Sequence, residues 1–235
     1  MPEFFADVWG EISTATPAPD SKVIWATFFV AAFVVVAPGL WPRARHLVTV
    51  LHEGGHGTVA LLTGRKLTGI RLHSDTSGLT TSRGKPRGLG MILTLLAGYP
   101  AASAAGLAGA YALSRGLPLA VLWGLLVIFG LTLLKVRNFF GLWVILVLGV
   151  GIFALTWWAP AAYQQIGAYL LVWFLLLAAP RPVIEMAQQR RGSAKTSDAD
   201  QLGRLTWFAA PLWIIIFLAV TGGALIWGTR LIAPF

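Results

Sequence analysis

The stretch "LVTVLHEGGHGTVALLTG", residues 47–64, sets His52, Glu53 and His56 inside an otherwise apolar run. On a helix, residues four apart lie one turn apart on the same face, so the two histidines can offer their imidazoles to one ion. With Glu53 beside them they form the HExxH arrangement, in which the histidines bind zinc and the glutamate acts as general base toward water. Ionisable side chains within a membrane span are costly and mark function. Gly54 and Gly55 add a second oddity. A glycine inside a helix costs about 1 kcal/mol relative to alanine, so a neighbour is expected to approach the backbone there.

The surrounding chain is that of an integral membrane protein. Of 235 residues, 57% are hydrophobic and 11% charged, with a mean hydropathy of +0.73; soluble domains are about a quarter charged. Apolar runs at 23–41, 46–63, 91–113, 117–134, 139–159, 163–180 and 206–229 approach the ~20 residues needed to cross a bilayer. The expected fold is an all-α polytopic membrane protein of about seven transmembrane helices. A short β-hairpin follows the HExxH helix, because Leu67–His73 and Gly78–Ser82 alternate around the turn-rich "SDTSG". The chain reads as one membrane-embedded domain, 1–235, with an acidic segment at 1–21, a hairpin loop at 64–90 and a loop at 181–204 that starts the last helix near Ser197. Small residues over 95–112 suit close helix packing.

The N-terminal acids Glu3, Asp7, Glu11 and Asp20, with no basic residue among them, are wrong for a cleaved signal peptide, so the first run is expected to be retained. The net charge of +9 would suggest nucleic acid in a soluble protein, but here none is expected. Seven crossings would put Lys22 and the basic clusters at 65–87, 135–137 and 181–204 on one side, fourteen Lys/Arg against four (Arg43, Arg45, Arg115, Arg230). The positive-inside rule then makes that side cytoplasmic, with the N-terminus inside and the C-terminus outside. A prokaryotic plasma membrane is the expected location. With no cysteine, any metal must take nitrogen and oxygen ligands.

The sequence resembles the site-2-protease-like M50 metallopeptidases, and within them the small M50B branch. The likeness lies in "HEGGHGTVALLTGRKLTGIRLHSDTSGLTT", "LAGYPAA", "RNFFG" and "RPVIEM…SDADQL", and covers most of residues 43–215. It implies a polytopic zinc endopeptidase acting on peptide bonds in or beside the bilayer of a membrane-protein or peptide substrate. His52 and His56 become Zn2+ ligands and Glu53 the catalytic base. The family's third ligand is the aspartate of an "LDG" motif, absent here; "SDADQL" stands in its place and makes Asp198 the expected ligand, with Asp200 and Glu185 as alternatives. Ser197 and Asp200 also have the spacing of a helix capping box. The family's "GPxxN" is missing too, "AGYPAA" lacking the asparagine, so Asn138 is a candidate for holding substrate backbone. His46, His73 and Asp75 read as interfacial or loop residues.

A client must be locally unwound to be cut, and unwound backbone in a bilayer needs replacement partners. The 67–82 hairpin is expected to supply them by β-augmentation, with Ile70 and Leu72 of the alternating Leu67–His73 segment as the residues on the docking edge. Two rivals remain open from sequence: a membrane protein in which His52, Glu53 and His56 line a metal-ion path, and an inactive protease-like scaffold.

Overall fold

The computed structural model describes residues 2–190 and 196–234. A short N-terminal helix, α1 (Pro2–Ser13), precedes α2 (Ser21–Val36), which is capped by Asp20 accepting the Lys22 N–H at 2.7 Å. Pro38 and Gly39 fall in the break that follows, and α3 (Trp41–Leu62) leaves at 98° to α2. Gly64, at φ +75°, closes α3 in a left-handed turn that a side chain would strain. Then come β1 (Lys66–Leu72), β2 (Gly78–Arg83), α4 (Leu89–Leu96) and α5 (Gly98–Ser114), the two helices bent by 56°. They are followed by α6 (Pro118–Leu133), α7 (Phe139–Trp158), α8 (Ala161–Ala178), α9 (Pro180–Gln189), α10 (Asp198–Leu205) and α11 (Ala210–Ile232).

Hydrogen bonds between distant segments identify two ends of the bundle. At one, Thr16 N donates to Gly116 O at 2.8 Å and Gln165 Nε2 to Pro17 O at 2.6 Å. At the other, Trp41 Nε1 donates to Glu185 Oε1 at 2.8 Å and Ile70 N to Lys135 O at 2.8 Å. The segments α2, α6 and α8 run from the first end to the second; α4–α5, α7 and α11 return. Three helices (α7, α8 continued by α9, and α11) are long and apolar enough to cross a membrane, or up to five spans if each bent pair counts as one, while α6 is a shorter apolar helix. The chain is an integral membrane protein.

The second of the seven expected crossings, 46–63, is α3. It lies across one end of the bundle, packing Gly55 on Ala97 between α4 and α5 and on Ala101 of α5, and Gly54 beside Thr132 of α6. Hydropathy registers that this helix is buried and apolar, and burial under protein gives the same signal as burial in lipid. The expected separation of Arg45 from the 181–204 loop fails with it: Arg45 and Glu185 form an ion pair at 2.7 Å and share one end. That loop also contains helices α9 and α10, and the last helix begins at Ala210 rather than near Ser197.

The hairpin matches its expected limits to within a residue at each end. β1 and β2 pair antiparallel, Ile70 opposite Thr80 and Leu72 opposite Gly78, with an irregularity between Leu67 and Gly69. Asp75 accepts from Ser77 N and Oγ at 2.9 and 2.6 Å, shaping the turn. Thr49 Oγ1 donates to Thr76 O at 3.0 Å and pins the tip to α3.

Candidate metal centre

One face of α3 carries His52 and His56, with Nε2 atoms 3.0 Å apart. α10 brings Asp198 to them: its Oδ2 lies 3.3 Å from His52 Nε2 and 3.2 Å from His56 Nε2. Among the described residues these form the one group of three or more His, Asp or Glu donors placed to share an ion, all within 4.8 Å of one another. The set fits zinc. Donors about 2.0–2.1 Å from a tetrahedral ion stand roughly 3.3 Å apart, and two imidazoles with a carboxylate are its ordinary nitrogen and oxygen ligands.

Local sequence explains why these atoms converge. The His56 ring sets Nδ1 2.6 Å from Thr94 O, which assigns the proton to Nδ1 and leaves Nε2 as the free donor atom. His52 packs edge-to-face on Tyr99, ring centroids 4.7 Å apart. Gly98 is required beside them, because a Cβ there would stand 2.5 Å from His56 Nε2 and 2.6 Å from His52 Cε1. Asp198 is the first residue of α10, where the helix dipole favours an anion. Burial works against its charge, but His56 and His52 beside it hold the carboxyl below the usual carboxylate range.

The alternative ligands are engaged elsewhere. Asp200 closes the capping box with Ser197 and pairs with Arg190 Nε at 2.8 Å. Glu185 accepts from Trp41 and Arg181 and pairs with Arg45, while the Arg181 guanidinium stacks 4.4 Å from the Trp41 ring centroid. Neither belongs to the converging group.

Glu53 is 4% exposed and shares a cavity of about 490 Å³ with the three donors. Its Oε2 accepts from Thr80 Oγ1 at 2.6 Å, and Gly78 lies so close that a Cβ there would stand 2.6 Å from Glu53 Cδ. Thr80, Gly78, Gly98 and Tyr99 were not singled out from sequence. Only the hairpin assignment and the "LAGYPAA" likeness pointed to their neighbourhood.

Within the expected 67–82 hairpin, the docking edge at Ile70 and Leu72 needs correction, and so does the role expected for Asn138. Ile70 N donates to Lys135 O and Arg137 N to Ile70 O at 2.9 Å. Asn138 spends both ends of its amide on Leu72, Nδ2 donating to the carbonyl at 2.6 Å and Oδ1 accepting from the N–H at 3.1 Å. β1 is therefore an interior strand, and Ile70, Leu72 and Asn138 form structure rather than a free surface. In an antiparallel pair, residues that bond away from their partner strand face residues that also bond outward. With Ile70 opposite Thr80 and Leu72 opposite Gly78, the main-chain groups of Gly78 and Thr80 point out from the open edge of β2, which lines the cavity. His46 and the turn residues His73 and Asp75 lie outside the converging group.

Compared with known proteins, residues 25–228 match the family model described as Peptidase M50B-like. No curated protein and no solved structure matches the chain.

Proposed function

Since the chain belongs to the Peptidase M50B-like family, we propose that it is an intramembrane zinc metalloendopeptidase that hydrolyses peptide bonds within or beside transmembrane segments of membrane-protein substrates. The observation that carries this reading is one cavity holding the His52, His56 and Asp198 donors, the Glu53 carboxylate and an open strand edge. A metal-ion path would call for donors strung through the bundle; here they gather at one end, beside backbone able to hold a polypeptide.

His52, His56 and Asp198 would hold the zinc, which when bound supplies Lewis acidity to the scissile carbonyl and acidifies water at the site. Glu53 accepts the proton of the attacking water as oxygen bonds to the carbonyl carbon, then returns it to the leaving nitrogen as the C–N bond breaks. Thr80 holds one carboxylate oxygen and leaves the other for this transfer. Substrate lies as an added strand along Gly78 to Ser82, whose outward main-chain groups replace the hydrogen bonds lost on unwinding.

Orientation follows from the ends of the bundle. Of the described lysines and arginines, only Lys22, Arg115 and Arg230 belong to the end opposite the site, so the positive-inside rule makes the site end cytoplasmic. Residues 14–20 and 232–234 then both lie outside, which replaces the earlier expectation of a cytoplasmic N-terminal segment.

Glu53→Gln is the direct test. The amide keeps the size and cannot take a proton, so cleavage of a transmembrane substrate should fall at least ~10²-fold while one zinc per chain is retained by metal analysis. Undiminished cleavage would refute the assigned base, and a metal-free wild-type protein purified without chelator would refute the centre.

A further inference from the structure

On the far side of α3 from the metal donors lies a second hollow, of about 740 Å³, among α3, α5, α6 and β1. A helix turns about 100° per residue, so Gly54 projects roughly 180° from the direction shared by His52 and His56. Its floor is Gly54 and Gly55, its walls include Ala101, Ala104 and Ile128, and Lys135 is its one charged lining residue. Leu61, Leu62, Leu131 and Leu134 at its margin are each more than half exposed.

The two glycines have different explanations. A Cβ on Gly55 would stand 2.6 Å from Ala101 Cβ and 2.7 Å from Ala97 O, so helix packing demands its absence. On Gly54 a Cβ would meet only Thr132 Oγ1, at an ordinary 3.6 Å. No protein neighbour requires this glycine, although it costs helix stability. What its missing side chain does is deepen the groove.

We propose that the groove holds one phospholipid, with an acyl chain laid against the back of α3 and its phosphate paired with Lys135. An apolar body with a cation at one end is complementary to an amphiphile whose charge is at one end. The main chain of Lys135 is fixed at this end of the groove, its carbonyl accepting the Ile70 N–H of β1. It lies at the end of the bundle that gathers the basic residues, the level at which phosphates of that leaflet stand. The lipid completes the packing of the helix that carries His52, Glu53 and His56, and it does so whether or not the chain is a protease.

The test is lipid retention, read by native mass spectrometry after purification in mild detergent from membranes containing phosphatidylglycerol and phosphatidylethanolamine. Wild type should keep one phospholipid per chain. Gly54→Leu and, from the opposite wall, Ala104→Phe should lose it while keeping the helical circular dichroism signal and one metal per chain. Lys135→Gln should bind it about five-fold more weakly, the worth of one basic residue at a lipid surface. Equal retention by wild type and all three variants, or no retained lipid in wild type, would overturn the proposal. So would loss of substrate cleavage in Gly54→Leu with lipid still bound, which would assign the groove to a substrate helix.

Discussion

Gly78→Ala tests the placement of Glu53, the proposed proton-transfer group, more sharply than removing that group. The added methyl would stand 2.5 Å from Glu53 Cγ and 2.6 Å from Cδ, so the carboxylate must retreat by roughly 1 Å to reach an ordinary contact. Glu53 is buried and tied to Thr80, and the retreat stretches that 2.6 Å bond. A misplacement of about 1 Å can cost ~10²-fold in rate. The displaced atoms end a flexible side chain, so stability should fall by no more than about 1–2 kcal/mol. The expected result is kcat down about 10²-fold, metal content unchanged, and a melting temperature lowered by only a few degrees, with Gly78→Val worse in kcat. Full activity in Gly78→Ala would show that Glu53 has no fixed working position against β2, and the reasoning would fail.

Asp198→Asn should weaken metal binding strongly in a competition assay with a chelator, whereas Asp200→Asn should leave affinity near wild type and cost about 1 kcal/mol of stability through the lost cap and Arg190 pair. The reverse order would exchange their roles. Asn138→Ala removes both hydrogen bonds to Leu72 and should destabilise the fold by about 1–3 kcal/mol in a denaturation series; an unchanged midpoint would show that β1 does not depend on it. Because the chain has no cysteine, single cysteines replacing Gly39 and Thr81 should react with an impermeant thiol reagent from the same side of sealed vesicles, and one replacing Thr16 from the other. Labelling of Thr16→Cys and Thr81→Cys from one side and of Gly39→Cys from the other would restore α3 as a crossing.

What the sequence revealed, and what it hid, divides along physical lines. His52, Glu53 and His56 were readable because helical spacing alone fixes their common face, and the hairpin because strand alternation and turn chemistry are local. The capping box was equally local: Ser197 and Asp200 occupy each other, which leaves Asp198 free to face the histidines. Orientation of α3 was not readable, since an apolar run does not say what covers it; the signal available was Pro38–Gly39, which falls where the chain turns by 98°. Lys135 to Asn138 could not be recognised as the neighbour of β1, because that contact joins segments some 65 residues apart. The roles of Ile70 and Leu72 were misread for the same reason. A strand's alternation shows which face is buried and is silent about which edge is taken.

The meeting of α3 and α10 also sets a time order during synthesis. His56 leaves the ribosome about 140 residues ahead of Asp198, on the order of ten seconds at ordinary elongation rates. Throughout that interval the nascent chain has its histidine pair and its glutamate but lacks the carboxylate of the group, which arrives only with α10, after α2 to α9 have been made. On the proposed function, a growing chain is therefore inert toward itself and toward other proteins inserting beside it. The delay also makes the chain divisible: a fragment ending before α10 and one beginning there should each be silent alone and regain metal binding when co-expressed.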